Sequence, residues 1–161
     1  MRFSIALLSL LLMDCNIDHV AKLEKENNEL HKKLAEAHRA DLNTQEKCAT
    51  AAQRFKAREY PPDRDTLNMN QTNHYNVKLG QCFVFIEWNY KDSASQTGSW
   101  FKRMVLSDVF ENTTYAEFSQ HTEVIRGQDP KVRVLTCQIP TLATCSSIGD
   151  FIDGTQGYMS N

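Results

Sequence analysis

The sequence predicts an α+β protein: a long N-terminal helix of coiled-coil character, a small antiparallel sheet of about three strands, and a short C-terminal helix. Two observations carry that expectation. Residues 17–60 contain neither Gly nor Pro and repeat small and apolar residues at alternating spacings of three and four. Strand-like runs then cluster between this helix and a short C-terminal one, where an α/β chain would alternate them.

The long helix ends at Pro61-Pro62, because a residue before proline is pushed out of the helical region. Its seam runs through Val20, Leu23, Asn27, Leu30, Leu34, Ala37, Asp41, Thr44, Cys48, Ala51 and Phe55. The first half is a respectable coiled-coil segment, and Asn27 at an inward position is of the kind that fixes register and favours a dimer. The seam weakens at Asp41 and Thr44 and then returns, so the second half is expected to pack on the protein's own domain. For the first half, a homodimer through the helix and a lone amphipathic helix folded back on the domain both remain open.

Pro61 to Thr72 reads as a polar linker. Cys82 to Trp88 is apolar on both faces, as a central strand would be. Lys91 to Ser99 is turn-rich and closes a hairpin onto Trp100 to Leu106. Val109 to Ser119 reads as a short helix or an irregular piece, and Lys131 to Ile139 as a third strand. Ser146 or Ser147 caps a last helix carrying Ile148, Phe151 and Ile152, with Gly154 as its stop. The expected divisions are a signal and anchor segment at 1–15, the heptad helix at 16–60, a linker at 61–72 and the α+β domain at 73–161.

The N-terminus speaks about location. Arg2 precedes an apolar or small run from Phe3 to Met13, too short for a membrane-spanning helix but suited to the apolar region of a secretory signal. Of the five cysteines, Cys15 follows that run directly, where a bacterial lipoprotein carries its acylated residue. Leu12 stands three residues before it as such signals require, whereas Met13 and the charged Asp14 depart from the small residues expected there. With Cys15 set aside as the lipid-attachment residue, Cys48, Cys82, Cys137 and Cys145 remain as an even set of disulfide candidates. Cys137 and Cys145 flank Pro140 and suit a bridge across a turn, leaving Cys48 to staple the helix to Cys82. Four cysteines allow three connectivities, and the sequence leaves the choice open. Each bridge would contribute roughly 2–4 kcal/mol to a domain of modest core.

Functional motifs are scarce. A net charge of -2 with no block of like charge gives no field to attract nucleic acid. No cofactor or metal is expected. His31 and His38 share a helix face, but seven residues rise about 10 Å, too far for one ion. Asp150 to Gly154 departs from a calcium loop at Ile152, where an oxygen ligand is required. A thiol nucleophile would need an activated cysteine beside a histidine. The nearest pair, His74 and Cys82, lies about 27 Å apart if extended. Asn70-Gln71-Thr72 and Asn112-Thr113-Thr114 match the glycosylation pattern, which matters only in a eukaryotic secretory pathway.

One family-level likeness emerges. Cys48-Ala49, Ala52 and Phe55, then His74-Tyr75-Asn76, Lys78-Leu79 and Cys82-Phe83, then Cys137 with Cys145, resemble small uncharacterised bacterial envelope proteins of lipoprotein type. In these a C-A-x-x-A-x-x-F helix precedes an HYN-x-K-L-x-x-C-F segment and a C-terminal cysteine pair. The likeness covers about Cys48 to Met159. It implies disulfides and no known activity. The expectation is therefore an exported envelope protein, periplasm-facing or at the surface, held to a membrane by its N-terminus and serving as a binding or structural module for an envelope protein partner. It is not expected to be an enzyme; the alternative is a small secreted hydrolase or thiol-redox enzyme.

Overall fold

A computed structural model describes the backbone of residues 4–140 and 142–160, and side chains at 19–140 and 142–160. The chain divides into two compact units, Met1–Asn43 and Thr44–Asn161. Helix α1, Ser4–Glu59, crosses that division. It is followed by β1 (Thr66–Asn76), β2 (Gln81–Lys91), β3 (Trp100–Asp108), β4 (Thr113–Glu123), β5 (Lys131–Gln138) and α2 (Ile148–Gln156). Among the described residues, no helix is long and apolar enough to cross a membrane.

The strands form one five-stranded antiparallel sheet in the order β1-β2-β3-β4-β5, which corrects the expected three. Both missed strands have a physical reason. β1 (TLNMNQTNHYN) occupies most of the stretch read as linker; as an edge strand it buries little, so its amide-rich sequence needs no apolar alternation. β4 occupies the stretch read as a short helix or irregular piece. Its Ala116 and Phe118 are buried while Tyr115, Glu117 and Ser119, which alternate with them, are not, a period-two pattern over very few apolar residues.

β2 is apolar on both faces because both are covered. On one side Phe83 packs with Met104, Leu106, Ala116, Phe118, Ile139 and Phe151 of α2. On the other, Val84, Ile86, Trp88 and Val105 pack with Ala52 and Phe55 of α1. The buried stripe of α1 is thus Cys48, Ala52 and Phe55, with Ala52 in the place expected for Ala51. Alanines there let the helix lie close to the sheet.

α2 begins with a reciprocal cap. Asp150 N donates to Ser147 Oγ at 3.1 Å, and Asp150 Oδ2 accepts from the backbone of Ser146 and Ser147 at 2.9 and 3.0 Å. Those donors, the Ser146 amide foremost, hold the Asp150 carboxyl below its ordinary range. Gly154 does not stop this helix, which continues to Gln156. It is the point where Ile139 and Leu142 close in, since a Cβ there would lie 2.7–2.8 Å from their Cδ1 atoms. The C-terminal segment is tied down by Asn76, 2% exposed, whose Nδ2 donates to Ser160 O at 2.8 Å and reaches Gly157 O at 3.2 Å.

Candidate functional site

The cysteines come together in two pairs. Cys48 of α1 and Cys82 of β2 form a disulfide with Cα atoms 5.4 Å apart, closing a separation of 34 residues; both are fully buried. Cys137 and Cys145 form the second, with Cα atoms 5.3 Å apart and a separation of 8. Cys15 lies outside the residues whose side chains are described.

The separation expected of His74 and Cys82 is overturned by the hairpin. β1 folds back on β2, so His74 pairs with Phe83 and Tyr75 with Cys82. His74 and Cys82 are near neighbours after all, but alternation sends them to opposite faces and Cys82 carries no free thiol. Among the described residues, no group of three or more His, Cys, Asp or Glu side chains is placed to hold a metal ion.

A groove of about 240 Å³ lies where α1 ends over the sheet, lined by Glu59, Tyr60, Pro61, Asp63, Thr66, Met69, Trp88, Tyr90 and Arg103. Its form follows from the helix stop. Tyr60 N donates the last helical bond to Lys56 O at 2.9 Å, and Pro61-Pro62 then turn the chain across the sheet. The Tyr60 ring is thereby held 5.9 Å from Phe55 and 5.0 Å from Trp88, centroid to centroid. Trp88 pairs directly across the sheet with Arg103, whose Cζ sits 5.4 Å from the Trp88 ring. Arg103 Nε donates to Glu117 Oε1 at 2.8 Å, which fixes the guanidinium over the indole. Burial pushes the Tyr60 hydroxyl above its ordinary range, with nearby Arg103 opposing the shift.

Beside the groove, Tyr90, Phe101 and His121 form a ladder across β2, β3 and β4. Tyr90 and Phe101 stack at 5.1 Å, and Phe101 and His121 at 4.5 Å. His121 Nε2 meets Asp92 Oδ2 at 3.0 Å, with both side chains less than one-fifth exposed. What this arrangement can do is bind. It offers aromatic surface, one oriented guanidinium, and the carboxylates Glu59 and Asp63 at its margin.

Of the aromatic residues at the β2–β3 hairpin, Trp88 and Tyr90 belong to this face, with Trp88 8% exposed. Trp100 precedes Phe101 on β3, so alternation turns it to the other face. Tyr60 and Arg103 carried no sequence signal of their own. The Pro-Pro stop beside Tyr60 was the one clue that a side chain would be parked at the helix end. Comparison of the chain with protein-family models, curated proteins and solved structures finds no match.

Proposed function

We propose that the chain is an exported protein, tethered at its N-terminus, whose disulfide-bearing unit is a binding module for another protein of the cell envelope. The observation that carries the location is the cysteine pattern. Cys48–Cys82 and Cys137–Cys145 are paired, as suits an oxidising compartment, and Cys15 is left over one residue, Asp14, behind the apolar run of Phe3 to Met13. A membrane signal and a leftover cysteine at that position support acylation of Cys15. The binding role is supported by the groove, where Tyr60, Trp88 and Tyr90 give rigid contact area and Arg103, paired with Glu117, adds a polar edge.

The experiment is intact-mass analysis of the protein purified from membranes, with and without reduction. A mass beginning at Cys15 with acyl chains added, gaining two hydrogens per disulfide on reduction, is expected. A mass retaining residues 1–15, with thiols already free, sinks the export reading.

A further inference from the structure

The longest exposed stretch of the described chain lies on α1 between His19 and Leu42, where every residue is exposed. Val20, Leu23, Leu30 and Leu34 are 49%, 51%, 64% and 68% exposed and fall on one seam of three-and-four spacing; Leu42 lies off it. In heptad terms, Val20, Asn27 and Leu34 take the a positions, and Leu23, Leu30 and Ala37 the d positions. Four bulky apolar side chains left in water along one stripe call for a cover.

We propose that the cover is the same stripe of a second copy of this chain, aligned parallel and in register, as a short two-stranded coiled coil. This goes beyond the binding role of the sheet groove and does not depend on the membrane tether.

Asn27 selects the occupant. In a parallel, in-register pair the a positions face each other, so the two Asn27 amides meet and each finds a hydrogen-bonding partner. In an antiparallel pair centred on this seam, Asn27 would face Leu30 and bury an unpaired amide. A purely apolar partner would strand it in the same way.

The flanks agree with that choice. In a parallel pair the g position of one helix meets the e position five residues on in the other. His19 then meets Glu24 of the second copy, Glu26 meets His31, and Lys33 meets His38. No contact sets carboxylate against carboxylate or lysine against lysine. Past Ala37 the seam reads Asp41 and Thr44, so the contact spans about 26 Å from Val20 to Ala37. So short a coil is marginal by itself, and the dimer is expected to be weak.

The test uses the full chain in mild non-ionic detergent, with Cys15→Ser to remove the odd thiol. Sedimentation equilibrium at about 10–100 μM should show reversible dimerisation, weakened at least tenfold by Leu34→Ser. Ala37→Cys, at a d position, should cross-link as a disulfide dimer under oxidation, and Lys32→Cys, on the outer face, should not. Near-UV circular dichroism confirms that each variant keeps its domain. A monomer throughout that range overturns the proposal. So does a dimer that Ala37→Cys fails to cross-link or that Leu34→Ser leaves intact. None of these outcomes touches the intact-mass result, so the tether and the dimer stand or fall separately.

Discussion

Along α1, Val20, Leu23, Leu30 and Leu34 follow the same three-and-four spacing as Cys48 and Phe55. The first four are 49–68% exposed, while Cys48 is 0% and Phe55 6% exposed. Spacing announces that a helix has a face; it does not say what covers it. Side-chain size separates the two stretches. Residues 48–55 interleave Cys48 and Phe55 with Ala49, Ala51 and Ala52, which lets a helix settle on a flat sheet. Residues 20–34 carry leucine knobs and an inward Asn27, which suit another helix.

The largest expected break in this contrast is Phe55→Ala. Phe55 packs with Val84, Ile86, Trp88 and Val105 and braces Tyr60, so the loss should approach about 3–5 kcal/mol in denaturant unfolding. A loss below about 1 kcal/mol would mean that this stretch of α1 does not cover the sheet as described.

Next in size is the staple beneath it. Replacing Cys48 and Cys82 together by Ala should lower stability by about 2–4 kcal/mol, because the bridge closes a separation of 34 residues that the unfolded chain otherwise leaves free. Both sulfurs are buried, so mild reductant should act slowly on the folded protein and quickly in denaturant. Equal rates in the two states would contradict the burial of this pair.

These elements were legible to different degrees. α1 could be read because the absence of Gly and Pro is a local property and Pro61-Pro62 a local stop. β2 could be read because a strand covered on both faces must be apolar on both. β1 could not, since an edge strand such as TLNMNQTNHYN pairs through its backbone and asks little of its side chains. The cysteine pairs were among the connectivities the count allowed, but choosing between them needed the fold. The groove was least legible: Tyr60, Trp88 and Arg103 come from a helix end and two strands, and only cross-strand register brings them together. His121 and Asp92 are 29 residues apart and equally invisible to spacing.

A smaller effect belongs to Tyr60, where α1 ends. Burial raises its hydroxyl above the ordinary tyrosine range, so the folded state holds the proton more tightly than the unfolded chain. The associated stability is therefore fully present below about pH 10 and is lost as pH rises through the folded value. Tyr60→Phe should flatten this alkaline decline, measured as unfolding midpoints across pH about 9 to 11. An unchanged slope would place the titrating group elsewhere.

The smallest expected effect isolates the exposed stretch. Leu34→Ser removes a side chain that is 68% exposed and has no place in either core cluster, so unfolding of the Thr44–Asn161 unit should shift by less than about 0.5 kcal/mol. Measured by near-UV circular dichroism in urea at about 1 μM, where a weak dimer is dissociated, that near-zero value would set Leu34 apart from Phe55 on the same seam. A shift comparable to that of Phe55→Ala would mean instead that the two stretches share one core, and the contrast between leucine knobs and packed alanines would no longer explain the helix.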